Sequence, residues 1–265
     1  MIKAIIFDYD DTLVQTRKTR YKTIKNLAFD KFDYNIDERE IDEAWGLPAD
    51  DFLIKIFGKF TNDLDLIWKL YLDYSKKDKN VPHEYSFELI EKYHKLFNFG
   101  IVTSSSEKVV LRELNELKIN LDYFFFIQTS DYTKVHKPDP LVFLPINDKL
   151  SVKNVKKNEI LYIGDSPSDF HSSTKFGYHF IGITHDMRYK NFFLSGKIDF
   201  VENFYDFGKI NFKIAKLRIT ATYRFASGRA LARPTANSPS GIRLAFASYM
   251  PVPNVPAGLR VGELR

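Results

Sequence analysis

The 265-residue sequence contains no cysteine, which excludes a disulfide framework and any zinc or iron–sulfur site built on thiolates. It has no apolar run near the ~18 residues that a membrane-spanning helix needs. An acid, Asp8, follows only a few apolar residues at the start, which is unlike a secretory signal. With 44% apolar and 28% charged residues, the chain is not wholly disordered or collagen-like. We therefore expect a globular, cytoplasmic protein without a membrane partner.

Acidic residues are scarce at one end of the chain. Residues 217–265 hold 7 Arg, no Lys and the single acid Glu263, a net charge of +6, whereas residues 1–216 hold 27 Lys, 5 Arg and 33 acids, a net charge of −1. The overall charge of +5 thus belongs to the last 49 residues. Five prolines interrupt them and no periodicity is sustained. We predict that residues 213–265 are a tail, either disordered or foreign to the domain.

The rest of the sequence alternates short apolar runs with stretches of helical periodicity. Four runs have the composition of buried strands: residues 3–7, 99–102, 160–163 and 180–183. From Arg17 to about Ser75, apolar residues recur at spacings of three and four, which predicts helices. Strands that alternate with helices are typical of an α/β fold with a parallel sheet. The predicted class is therefore a Rossmann-like, doubly wound sheet.

Polar residues follow three of the predicted strands, and ligands of an open parallel sheet bind at those carboxyl ends. In chain order they are Asp8, Asp10, Thr103, Ser104, Asp165 and Asp169, with Lys137 before the third of these strands. Four carboxylates at one point would repel each other without a cation, and oxygen-only ligands favour Mg²⁺. A nearby lysine can face a phosphoryl group, and a carboxylate can accept it. These residue types predict metal-assisted phosphoryl transfer.

The ordered set of motifs resembles that of the haloacid dehalogenase superfamily. The motifs are Asp8-x-Asp10-x-Thr12-Leu13, Thr103, Lys137-Pro138 and Gly164-Asp165-x-x-x-Asp169. Each motif alone is a weak signal, but the set in this order is specific, and it covers roughly residues 1–212. Since the dehalogenases of the superfamily lack the second Asp of the first motif, the resemblance favours phosphate chemistry over carbon–halogen cleavage.

The resemblance also implies a role for each motif residue. Asp8 is expected to be the nucleophile, and Asp10 to protonate the leaving oxygen and then activate water. Thr103, Ser104 and Lys137 are expected to contact the phosphoryl oxygens. The expected Mg²⁺ ligands are Asp8, the backbone carbonyl of Asp10 and Asp165, with Asp169 acting through water or as an anchor. Asp169 alone would otherwise be read as a helix cap.

The spacing of the motifs predicts an additional segment. Asp8 and Thr103 are 95 positions apart, far more than one crossover needs. We therefore expect residues 15–84 to form a helical cap on a core of residues 1–14 and 85–212, as in phosphoglycolate phosphatase-like and β-phosphoglucomutase-like members. Such a cap would close over the site. By analogy with relatives, Arg17, Arg20 and Gly46 are candidate specificity residues.

Three functions remain open from the sequence. The first is a Mg²⁺-dependent phosphatase that acts on a small phosphorylated metabolite through an aspartyl-phosphate. The second is a phosphomutase or phosphotransferase, which is disfavoured because mutase-like relatives usually carry His where Arg20 stands. The third is a polyanion-binding protein that uses the basic tail, although that tail matches no known nucleic-acid module. Sugar phosphates, phosphoglycolate, pyrophosphate and nucleotides all fit the motifs as substrates.

Overall fold

A parallel sheet organises the computed structural model, which describes residues 1–185 and 188–209. The strands are β1 (Ala4–Phe7), β2 (Val14–Gln15), β3 (Val81–Pro82), β4 (Asn98–Val102), β5 (Phe124–Gln128), β6 (Ile160–Gly164), β7 (His179–Ile183) and β8 (Phe200–Val201). Six of them form one sheet in the order β5-β4-β1-β6-β7-β8. The predicted tail of residues 213–265 lies outside the described residues.

The central strand β1 fixes the arrangement of the sheet. It pairs in parallel with β4 on one side and with β6 on the other, so that Ile6 stands opposite both Gly100 and Tyr162. The chain thus builds outward from β1 in both directions, which is the doubly wound arrangement, and every carboxyl end lies at the same edge. The Rossmann-like α/β class predicted from the sequence is confirmed.

The central strand β1 is apolar along its whole length, as expected for a parallel sheet that helices cover on both faces. All four residues of β1 are fully buried. Below the site, the ring of Tyr162 on β6 meets that of Phe143 edge-on, with centroids 4.9 Å apart. Phe143 in turn contacts Phe176 and Tyr178. Aromatic packing of this kind holds the ends of the central strands in place.

Helices account for most of the remaining described chain. They are α1 (Arg17–Phe32), α2 (Glu38–Ala44), α3 (Ala49–Phe57), α4 (Leu64–Ser75), α5 (Ser86–Tyr93), α6 (Glu107–Glu116), α7 (Leu144–Val152), α8 (Pro167–Phe176), α9 (Lys190–Gly196) and α10 (Phe204–Lys209). Within the described ranges, none of these helices combines the length and the apolar character that a membrane span requires.

Residues 17–75, here called the helical segment, pack around a hydrophobic cluster to which Val109 of α6 also contributes. Its members include Ile24, Leu27, Phe57, Ile67 and Tyr71, all buried. Local signals set the helix ends: Asp37 and Glu40 form a capping box at the start of α2, and the Asp63 side chain caps α4. The long helical stretch predicted from periodicity is therefore four separate helices.

The helical segment joins the rest of the fold through a small ribbon. Strands β2 and β3, which flank the segment in the sequence, pair antiparallel, with Val14 opposite Pro82 and Gln15 opposite Val81. The backbone N–H of His83 extends this pairing by donating to the carbonyl of Leu13. The entry and the exit of the helical segment consequently lie side by side.

Candidate active site

The predicted site residues meet at the carboxyl edge of the sheet. Asp8 directly follows β1, Thr103 directly follows β4, and Asp165 directly follows β6. Because these three strands are neighbours in the sheet, their last residues deliver side chains to one place. Asp8 and Asp165 line a cavity of about 290 Å³ together with Ser104, Lys137 and side chains of the helical segment.

Lys137 lies between two carboxylates. Its Nζ donates to Asp8 Oδ1 and to Asp169 Oδ1, both at 2.7 Å, and contacts the hydroxyl of Tyr162 at 3.2 Å. Burial alone would lower the pKa of this lysine, but the charges of Asp169 and Asp8 raise it above its ordinary value. Lys137 is therefore a fixed cation at the bottom of the cavity.

Three carboxylates gather around this lysine. Asp8, Asp165 and Asp169 each offer an oxygen within 4.8 Å of the others. Burial, opposed by Lys137 and reinforced by Asp169, raises the pKa of Asp8 to about 8. Burial and then the charge of Asp169 raise the pKa of Asp165 well above its ordinary value. Asp8 and Asp169 are buried and Asp165 is half-buried. These mutually repelling oxygen ligands fit a hard divalent cation, whose charge would offset theirs.

Asp169 is held more tightly than a helix cap requires. It is fully buried, and its Oδ2 accepts from the backbone N–H of Ser166 at 3.1 Å and from the Ser166 hydroxyl at 2.6 Å. Ser166 is the N-cap of α8, and Asp169 completes the capping box at the third helical position. The reading of Asp169 as an N-cap is therefore wrong. A Cβ at Gly164 would lie 2.5 Å from Asp169 Cγ, so glycine leaves room for this carboxylate.

Asp10 faces the opposite side of the cavity. Its Oδ1 forms an ion pair with Arg20 Nη2 at 2.6 Å, and its Oδ2 accepts from Ser105 Oγ at 2.5 Å and from Thr103 Oγ1 at 3.5 Å. Arg20 also donates to Ser105 Oγ at 2.8 Å. The convergence of four carboxylates expected from the sequence is thus a cluster of three, because Arg20 and Ser105 hold the Asp10 side chain apart. Its role as a carbonyl ligand stays a prediction.

The second motif, Thr103 with Ser104, lies next to the Asp10 side chain. Thr103 is buried, its N–H donates to the Gln128 carbonyl at 3.0 Å, and its Oγ1 accepts from the Ser105 N–H at 3.0 Å. Ser104 lines the cavity. Neither residue caps the following helix, since Ser106 holds the N-cap position of α6. Thr103 and Ser104 therefore do not serve as the N-cap of α6.

The three candidate specificity residues, Arg17, Arg20 and Gly46, line two different cavities in the structure. Arg20 and Gly46 line the 290 Å³ cavity. Arg17 instead lines a second, larger cavity, and its Nε lies 3.1 Å from Asp11 Oδ2. Arg20 is turned toward Asp10 by the ion pair described above. Of the three, Gly46 and Arg20 are the ones that the structure brings to the predicted site.

Sequence reasoning missed several residues at the site. Ser105 bonds Asp10 and Arg20, and Tyr162 bonds Lys137, yet a serine in a serine run and a tyrosine in a buried strand carry no distinctive signal. The helical side of the cavity was missed for the same reason, because its aromatic residues follow helical periodicity like core residues. They include Trp45, Phe52, Trp68 and Tyr71.

An open parallel sheet that gathers three carboxylates and a lysine at its carboxyl edge defines a doubly wound α/β enzyme. Residues 5–183 match the family model of the haloacid dehalogenase-like hydrolases. That match spans more than half of the chain, and the chain belongs to this family. The sequence-based resemblance and the expectation of an enzyme are therefore confirmed.

Two curated relatives and one solved structure are similar to this chain. A protein of Caldanaerobacter subterraneus with the provisional name pyrophosphatase PpaX is 26% identical over 187 residues, covering 69% of this chain and 81% of the relative. A glyceraldehyde 3-phosphate phosphatase of Pyrococcus furiosus is 29% identical over 186 residues, covering 62% and 72%. A Haemophilus somnus crystal structure, described as a predicted phosphoglycolate phosphatase, superposes with a TM-score of 0.68 at 20% identity over 79% of this chain and 97% of its own. The last similarity concerns the fold alone.

Proposed function

We propose that this protein is a Mg²⁺-dependent phosphatase that hydrolyses a small phosphorylated metabolite through an aspartyl-phosphate on Asp8. The observation that carries the proposal is the position of Asp8, which follows β1, faces the cavity and lies 2.7 Å from Lys137. The names of the Pyrococcus furiosus phosphatase and of PpaX, both of which refer to phosphate hydrolysis, agree with it.

The reaction begins with Asp8 as nucleophile. One of its carboxylate oxygens attacks phosphorus, the ester P–O bond breaks, and the leaving oxygen takes a proton from Asp10. Burial favours the protonated form of Asp8, whereas Lys137 favours the ionised form that attacks. Lys137, Thr103 and Ser104 are proposed to bind the phosphoryl oxygens.

Hydrolysis of the intermediate returns the site to its starting state. Asp10 accepts a proton from water, whose oxygen attacks phosphorus, and the bond from phosphorus to Asp8 breaks to release inorganic phosphate. Arg20 and Ser105 hold the Asp10 side chain in place. Both half-reactions therefore use the same acid and base on the same side of the cavity.

Asp8, Asp165, Asp169 and the backbone carbonyl of Asp10 would hold Mg²⁺, with Asp169 as an anchor that also bonds Lys137. When bound, the ion would polarise the phosphoryl oxygens and offset the negative charge that develops on them. The fit of the three clustered carboxylates to a hard cation supports this part of the proposal.

We also propose that residues 15–84 act as the cap over a core of residues 1–14 and 85–212. The helical segment supplies all but one of the buried residues of a hydrophobic cluster, and it lines one side of the cavity. Covering the cavity would exclude bulk water during attack by Asp8. Gly46 and Arg20 would then be among the cap residues that face the substrate.

Replacing Asp8 with Asn tests the proposed function. The variant keeps the shape of the side chain but lacks a nucleophilic carboxylate, so we expect phosphate release from acetyl phosphate in Mg²⁺ to fall by at least about 10⁴-fold. The matched control is Asp122→Asn, which makes the same change in a turn away from the cavity. Activity in Asp8→Asn equal to that of the control would refute Asp8 as nucleophile.

A further inference from the structure

The two sides of the cavity differ in chemistry. The sheet side carries the carboxylates, Lys137 and several serines. The helical segment contributes mainly aromatic and aliphatic side chains, among them Trp45, Leu47, Phe52, Trp68 and Tyr71. Among the described residues of the helical segment that line the cavity, Arg20 is the charged one. A phosphate bound at the sheet side would therefore place its leaving group against an apolar surface.

The helical side offers few polar groups to a ligand, and two of them are engaged within the protein. Trp68 Nε1 donates to Asp50 Oδ1 at 2.7 Å. Arg20 Nη2 pairs with Asp10 and Ser105, whereas its buried Nε has no hydrogen-bond partner among the described residues. A leaving group with many hydroxyls would give up hydrogen bonds to water here and regain few of them. The wall thus disfavours polyhydroxylated groups such as sugars and glycerol.

Ring packing makes this wall rigid. Trp45 meets Tyr21 edge-on at 5.5 Å and Phe52 at 6.1 Å, with interplanar angles of 73° and 87°. Leu47 follows Trp45 in the loop before α3 and is 39% exposed. The positive φ of Gly46, 89°, turns the chain between these two side chains. An exposed leucine beside fixed aromatic rings offers apolar surface to a ligand.

We infer that the substrates are phosphomonoesters whose leaving group is an aromatic or compact apolar alcohol. This inference rests on the proposed phosphatase function and specifies its substrate class. The cavity volume of about 290 Å³ admits a phosphoryl group with one ring, at the small end of ligand pockets. The ring would bury its surface against Leu47, Trp45 and Trp68 while the phosphate contacts Lys137.

A matched series of alkyl phosphates tests this inference with the full-length protein in Mg²⁺. 2-Phenylethyl phosphate, ethyl phosphate and glycerol 3-phosphate have alcohols of similar acidity, so differences in kcat/KM report recognition of the leaving group. We expect 2-phenylethyl phosphate to exceed both others at least about tenfold, since one buried ring contributes that much. Equal or higher kcat/KM for glycerol 3-phosphate would overturn the inference.

Acetyl phosphate separates this inference from the function on which it rests. If acetyl phosphate is hydrolysed but the ring gives no advantage, the inference fails and the proposed phosphatase stands. If neither acetyl phosphate nor any ester releases phosphate, the proposed function fails and the inference fails with it.

A pair of leucine variants tests whether Leu47 is responsible for the preference for an aromatic leaving group. Leu47→Asn places an amide in the wall, and we expect it to lower the 2-phenylethyl-to-ethyl ratio of kcat/KM about fivefold. Leu66→Asn is the control, because Leu66 is similarly exposed, at 41%, but does not line the cavity. An unchanged ratio in Leu47→Asn, or the same fall in Leu66→Asn, would overturn the placement of the leaving group.

Discussion

The two sides of the cavity are built on different principles. On the sheet side, charged groups hold one another in place, as Lys137 does with the buried Asp8 and Asp169. On the helical side, ring packing fixes the surface and few charges are present. Changes on the sheet side should therefore slow all substrates alike, whereas changes on the helical side should alter the ratio between substrates. Three predictions test this division.

The largest effect is expected for Lys137→Met. Loss of a preorganised cation should lower kcat/KM for every phosphate ester by about 10²–10³-fold. Since Asp8 and Asp169 lose their buried partner, the free energy of unfolding should also fall by about 3 kcal/mol, measured by urea denaturation in EDTA. The exposed Lys118→Met serves as control. A change confined to one substrate would place Lys137 in specificity instead of chemistry.

The next effect concerns the carboxylate cluster. Mg²⁺ that binds only the folded chain should raise the free energy of unfolding, by about 2.7 kcal/mol at a concentration 100 times its Kd. We expect Asp165→Asn to weaken this stabilisation strongly, because it removes one of the three clustered carboxylates. Urea denaturation across a Mg²⁺ series measures both proteins. Equal stabilisation of the variant would mean that Mg²⁺ binds elsewhere.

The smallest effect, and the sharpest test of the division, is expected for Arg20→Ala. Arg20 belongs to the helical segment but is paired with Asp10 at 2.6 Å. If it acts by positioning Asp10, kcat should fall about tenfold for all esters while their kcat/KM ratios stay constant. Arg20→Lys, which keeps the charge, should recover part of kcat. A changed ratio between 2-phenylethyl and ethyl phosphate would make Arg20 a specificity residue, as its sequence position suggested.

Much of the sheet side was predictable because strand ends and motif order specify it. Asp8, Thr103 and Asp165 each follow a short apolar run, and the parallel topology brings such ends together. The direction of the Asp10 side chain was not predictable, since it depends on Arg20, a residue of a different layer. The role of Tyr162 was hidden because a tyrosine in a buried strand resembles any other core residue.

The helices of the helical side were predicted from the sequence, but the side chains with which they line the cavity were not. The distance from Asp8 to Thr103 indicated an additional segment, and periodicity indicated helices. The same periodicity made Trp45 and Trp68 indistinguishable from buried core residues, although both line the cavity. The helices α7, α9 and α10 were not assigned, because they are short and lack a long amphipathic repeat.

The ribbon of β2 and β3 makes the helical segment an interchangeable insert. Its two ends, Val14–Gln15 and Val81–Pro82, are paired neighbours, about 4.8 Å apart as in any β-ribbon. An insert whose ends meet can be exchanged for another of different size without altering how β1 pairs with β4 and β6. Exchanging one continuous stretch of the gene would therefore renew the helical wall of the cavity while Asp8, Lys137 and Asp165 keep their places, and the new insert would have to supply a partner for Asp10 in place of Arg20.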